Sequence, residues 1–145
     1  MTIIVTPRPP LSLMEVVRVT ADDTSGGTLV YEVPTYRIPA SGPTPQRDVE
    51  AAAVITNLTI SDLVSGTSGS TVSVTIETLG GGTGSETFVL TSAAVVPKNG
   101  FISLDVEKQV LKSEDRLIVE MSAADTADVH FSFILVTREE YTVLP

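Results

Sequence analysis

One histidine, no cysteine and a scatter of carboxylates are what this chain of 145 residues offers to chemistry. A catalytic triad needs a histidine between a nucleophile and a carboxylate, and a zinc site needs three or four nitrogen or sulfur donors. His130 has no second histidine and no thiolate to join it. It also falls opposite Val129, Phe131 and Phe133 in an alternating segment, so it reads as a partly exposed strand histidine. Were two copies to meet across a symmetry axis there, it would respond to pH. Carboxylates group at Asp105 and Glu107, at Glu114-Asp115, and at Asp125 and Asp128. Paired carboxylates can hydrolyse glycosides, and oxygen clusters can hold Ca²⁺. Each of these groups lies in or beside a turn, where Asp and Glu serve solvation and local hydrogen bonds. None has the spacing of an EF-hand. No catalytic residue, no metal and no cofactor is expected, although calcium stays open.

Two further motifs fail on inspection. The run Gly80-Gly81-Gly82-Thr83-Gly84 is followed by Ser85-Glu86, where a phosphate-binding loop needs Gly-Lys-Ser/Thr. The dinucleotide fingerprint fails at Thr87, and no helix follows. Asn57-Leu58-Thr59 fits the N-glycosylation pattern, but no basic, apolar leader is visible at the N-terminus, so the match reads as chance.

Composition narrows the function classes. Eighteen acidic residues against nine basic ones give a net charge of −9. The basic residues Arg8, Arg18, Arg37, Arg47, Lys98, Lys108, Lys112, Arg116 and Arg138 are spread out. Phosphate neutralisation needs them clustered, so neither nucleic acid nor an anionic membrane is expected as a partner. No run approaches the ~18 apolar residues of a membrane span. The chain therefore reads as soluble and intracellular at synthesis. Hydrophobic residues make up 42% and aromatic residues 5%, which is enough for a real core made of Val, Ile, Leu and Ala. Phe88, Phe101, Phe131 and Phe133 are its largest expected members. Without cysteine, stability must come from packing or subunit contacts.

The elements that would position such residues are strands. β-branched runs alternate with Gly, Ser, Asn, Asp and Pro throughout, at roughly the 8–12 residue spacing of sandwiches. Strands are expected at 13–19 and 28–33, pairing as a hairpin across 22–27, and at 51–60 with a bulge near Thr56-Asn57. Further strands are expected at 71–79, where Val72, Val74 and Ile76 share one face, and at 86–90 with Phe88 and Leu90 inward. The last are at 101–106, 116–122 and 128–137. The final segment has apolar residues on both faces, as a central or partner-covered strand would. Only 46–53 and 107–111 could hold short helices. The expected fold is all-β: an antiparallel β-sandwich, jelly-roll-like, of about eight strands.

Three segments fall outside that frame. Residues 34–50 carry prolines at 34, 39, 43 and 45, which disfavour helix and central strand, and read as a long exposed loop offering Tyr36, Arg37 and Ile38 as contacts. Residues 1–12 form an arm with Ile3, Ile4 and Val5. Residues 138–145 form a tail with Tyr141, Val143 and Leu144. Apolar ends like these suit grooves or strand edges of neighbouring subunits.

From Leu29 to Val136 the chain resembles the small β-sandwich virion structural proteins of tailed bacteriophages. The resemblance lies in Val30-Tyr31-Glu32-Val33-Pro34, Asn57-Leu58-Thr59-Ile60 and Gly69-Ser70-Thr71-Val72-Ser73-Val74. It continues through Val95-Val96-Pro97-Lys98-Asn99-Gly100, Leu104-Asp105, Val110-Leu111-Lys112 and Ser122-Ala123-Ala124-Asp125. Ser113-Glu114-Asp115-Arg116-Leu117 stands where the family usually has a Gly-Asp turn, with Glu114 in place of the glycine. The segment 34–50 replaces a usually short turn. The resemblance implies a non-enzymatic structural protein in the virion, made in the host bacterial cytoplasm. It implies a symmetric assembly of copies of itself with other virion proteins at the head–tail neck or tail. The alternatives are a capsid decoration protein and a carbohydrate- or receptor-binding fibre module.

Overall fold

A computed structural model describes residues 2–4, 12–62, 71–80, 84–97, 100–104, 109–122 and 126–137. They form twelve strands and no helix: β1 (Thr2–Ile4), β2 (Ser12–Ala21), β3 (Thr28–Glu32), β4 (Thr35–Ile38), β5 (Arg47–Val49) and β6 (Ala51–Asp62), then β7 (Thr71–Gly80), β8 (Gly84–Val95), β9 (Phe101–Leu104), β10 (Val110–Lys112), β11 (Arg116–Met121) and β12 (Ala127–Thr137).

The strand order is that of a jelly roll. One sheet runs β10-β6-β12-β2, with β9 also paired to β6; the other runs β3-β11-β7-β8. All pairs in both sheets are antiparallel. The pairs nest: β2 with β12, β3 with β11, β6 with β9 and β10, β7 with β8. Such nesting is an antiparallel ribbon rolled into two facing sheets, which makes eight strand positions if β9 and β10 share one. A third sheet, β1-β4-β5, contains the one parallel pair among the described residues, β1 with β4.

The two main sheets enclose one apolar core. β12 lies between β2 and β6 and buries Val129, Phe131, Phe133 and Leu135. From the facing sheet come Val72, Val74, Ile76, Leu117, Val119 and Met121. Tyr31 on β3 reaches across to β12, its ring centroid 4.3 Å from that of Phe133, while Phe131 and Phe133 stack at 4.9 Å. That contact joins the sheets through aromatic area.

The predicted bulge in β6 is present. Ser132 pairs with Asn57 and Phe133 with Ile55, so Thr56 is the extra residue. The hydroxyls of Thr56 and Ser132 lie 2.9 Å apart in a hydrogen bond. The shift lets Ala51, Ala53, Ile55, Leu58 and Ile60 all point inward despite their broken alternation.

Several expectations are corrected. β2 and β3 do not form a hairpin: they lie in different sheets, and residues 22–27 carry the chain between them. Gly27 has φ +84°, and a Cβ there would run into the Ile118 side chain, so this crossing requires glycine. Phe88 and Phe101 are not core residues; they are 53% and 66% exposed. Phe88 faces inward but stands on the edge strand β8, and Phe101 pairs with Ser61 on the outer face of its sheet. The two stretches expected to allow short helices hold strand instead, at 47–49 and 51–53 and at 110–111, while 107–108 lie outside the described residues.

The largest correction concerns 34–50, which is not a structureless loop. It contains β4 and β5, paired antiparallel, with Tyr36, Ile38 and Val49 buried. Pro39, Pro43 and Pro45 fall in the connection, which closes through reciprocal backbone hydrogen bonds of 3.0 Å between Ser41 and Thr44. The strands fit between the prolines, so no ladder donor is lost from them.

Candidate functional site

The sequence offered three contact groups, the arm, the segment 34–50 and the tail, and the structure brings parts of the first two together. Ile3 pairs with Tyr36 and Ile4 with Arg37 in the parallel β1–β4 ladder. Tyr36 and Ile38 face the core and are spent there, which removes them as surface contacts. Arg37 faces the other way, half-exposed, and its Nε donates to Asp48 at 2.8 Å across β4–β5. That guanidinium holds the Asp48 carboxyl below the usual carboxylate range. Val5, Tyr141, Val143 and Leu144 lie outside the described residues.

This small sheet is fixed to the sandwich by the turn before β11. Val33 N–H donates to the Asp115 carbonyl at 3.0 Å, and Glu114 N–H to the Val33 carbonyl at 2.9 Å. Thr35 Oγ1 donates to Glu114 Oε1 at 2.7 Å, and Ala51 N–H to Ser113 Oγ at 2.7 Å. Asp115 is buried and accepts from Lys112 N–H at 2.8 Å; burial pushes its carboxyl up. These carboxylates, singled out as a possible catalytic or calcium pair, hold a turn closed. His130 is exposed on β12, in register with Arg18 on β2 and Thr59 on β6, away from the core. Among the described residues no three His, Cys, Asp or Glu side chains gather as a metal site.

A surface the sequence did not single out lies on the outer face of the β10-β6-β12-β2 sheet. Register places Met14, Ile134, Val54 and Val110 side by side, one from each strand. Val16, Val136 and Ala52 stand on the same face in the neighbouring rows. Met14 is 73% exposed and Val110 51%, while Ile134, Val54, Val136 and Ala52 are half-buried. The signal for it was the apolar pair Ile134 and Val136 on the second face of β12; the register across four strands could not be read from one strand. Towards the far end the face turns polar, through Ser132, Thr56 and Asn57, to Arg18 and Asp128, which form a salt bridge. Hydrogen bonds and that ion pair occupy this end. The apolar end offers shape and dry area, so the face can bind but has no group to transfer.

No family model matches the chain, and no curated protein matches it. Among solved structures, that of infectious bursal disease virus Gx strain aligns at 11% identity and a TM-score of 0.45, covering 95% of this chain and 35% of that one. The crystal structure of infectious bursal disease virus VP2 subviral particle aligns at 15% identity and a TM-score of 0.36, covering 92% and 34%. The chain spans about a third of the length of those it matches. Both TM-scores are low, and the jelly roll here rests on this chain's own strand order.

Proposed function

We propose that the chain is a structural subunit of a virus particle, working by subunit contact without chemistry, in a symmetric ring at the head–tail neck or tail of a tailed bacteriophage. The jelly roll narrows the field to architectures that serve capsid proteins, lectins and cupins. Fold alone does not choose among them, so the choice rests on the surface. A cupin-like metal centre asks for a ligand cluster, and the sequence has one histidine and no cysteine. The observation that carries the reading is the sheet with apolar residues on both faces: one face makes the core, and the other presents Met14, Val16 and Val110 exposed. A freely diffusing monomer has little reason to keep such a row. The resemblance to phage virion proteins supplies the place.

The test is to locate the protein in purified particles by labelling and to weigh the native assembly. A closed ring of roughly five to twelve copies at the neck or tail fits the reading. A trimer spread over the shell points to the decoration alternative, and glycan binding at a fibre tip to the receptor-binding one. Absence from purified particles refutes a virion role.

A further inference from the structure

We infer that the outer face of the β10-β6-β12-β2 sheet is a contact between copies of this chain, with the row Met14–Ile134–Val54–Val110 at its centre; this rests on the structural-subunit reading and specifies its interface. Size, charge and composition agree on a second copy as the occupant.

β12 has eleven residues. At about 3.4 Å per residue and about 4.8 Å per strand, the face measures roughly 700 Å². A stable protein–protein contact buries ~800 Å² per partner, so one face of this sheet is about the area that a second copy would have to cover.

Charge is the stronger argument. Two copies carrying −9 each repel over most of their surface. By alternation and register, the outward positions of this sheet are Met14, Val16, Arg18 and Thr20 on β2, and Asp128, His130, Ser132, Ile134 and Val136 on β12. Those on β6, β9 and β10 are Ala52, Val54, Thr56, Asn57, Thr59, Ser61, Phe101, Ser103, Val110 and Lys112. Asp128 is the one carboxylate among them, and Arg18 neutralises it. With Arg18 and Lys112 against Asp128, the face sums to +1 in a chain of −9. Among the described residues it is therefore a place where another copy meets no uncompensated negative charge.

The composition fits as well. Interface centres are depleted in charge and enriched in methionine, with polar rims. Here Met14 and three aliphatic residues form the dry row, and Lys112 and the Arg18–Asp128 pair stand at the margins.

The test uses the purified full-length chain in sedimentation velocity over a concentration series, comparing wild type with Met14→Lys and Val110→Lys. Both sites are exposed and sit at opposite ends of the row, so the fold tolerates them; circular dichroism and thermal unfolding confirm that. Val89→Lys, on the edge strand β8 of the other sheet, is the control. The expected result is self-association of the wild type that each row variant weakens at least ~100-fold, because two lysines would face each other or a dry surface across the contact, with Val89→Lys unchanged. A wild type that stays monomeric, or an assembly that ignores both row variants, overturns the inference. So does an assembly dissolved by Val89→Lys alone, which would put the contact at the β8 edge. Labelling of the protein in particles would still stand in those cases, so loss of this interface and loss of the virion reading are separate results.

Discussion

Glu114 holds φ at +71°, a left-handed conformation that costs a non-glycine residue roughly 1–2 kcal/mol. Its carboxylate offsets part of that by accepting from Thr35 Oγ1 at 2.7 Å, which ties β4 to the turn before β11. Glycine would hold this backbone without the cost. Removing the side chain separates the two effects. Glu114→Ala loses the hydrogen bond and keeps the strain, whereas Glu114→Gly loses the bond and relieves the strain. Glu114→Gly is thus expected to be more stable than Glu114→Ala by about 1 kcal/mol, read from urea midpoints. Equal stability of the two variants would mean that the turn does not hold this conformation in solution. The strain itself was not legible in the sequence, since a glutamate in a turn looks like ordinary solvation.

At the scale of elements, strands with period-two alternation were legible and short or edge strands were not. β7 alternates from Thr71 to Glu77 and β12 nearly throughout, and β6 betrayed its bulge by slipping phase at Thr56-Asn57. β4 and β5 are four and three residues long, too short to show a period, and their burial depends on partners distant in sequence. For Phe88 the phase was right and the burial wrong: it pairs with Ile76 and shares its inward face, but β8 is the sheet's last strand and nothing closes over it. The bulge makes a sharp prediction. Deleting Thr56 leaves Ile55 inward, Asn57 outward and Leu58 inward, so every pair with β12 survives, and the loss is the Ser132 hydrogen bond and some local twist. Its cost is expected to stay below about 2 kcal/mol, with a single cooperative transition. Deleting Thr59 instead inverts Ile60 and the residues after it, turning a core side chain to water. That variant is expected to lose cooperative unfolding or several kcal/mol. Chemical denaturation of both, followed by circular dichroism, decides the matter; similar losses in the two would mean that Thr56 is not the inserted residue.

Across the whole molecule, one core serves all three sheets, and a residue's strand and face outrank its size. The sequence presents four phenylalanines of equal apolarity. Phe131 and Phe133 lie on β12, flanked on both sides by strands and facing the opposite sheet, and Phe133 is 1% exposed. Phe101 lies on β9 in register with Ser61, on the outer face, and remains 66% exposed. Their contributions to stability should therefore differ widely although the side chains are identical. Phe133→Ala removes a ring that packs on Tyr31 and Phe131 at the junction of the two main sheets, and no neighbour can collapse into the space without separating strands. It is expected to cost about 3–5 kcal/mol. Phe101→Ala removes a ring already mostly in water and is expected to cost less than about 1 kcal/mol. Because Tyr31 belongs to the other main sheet, the Phe133→Ala loss should lower the single transition as a unit, without splitting it into a step for each sheet. Urea unfolding monitored by tyrosine fluorescence and by far-ultraviolet circular dichroism tests both points. Coincident curves displaced by several kcal/mol are expected for Phe133→Ala, and a curve close to wild type for Phe101→Ala. Separate transitions at the two wavelengths would show that the sheets do not share one core, and the interface proposed on the outer face would then rest on a sheet that folds alone.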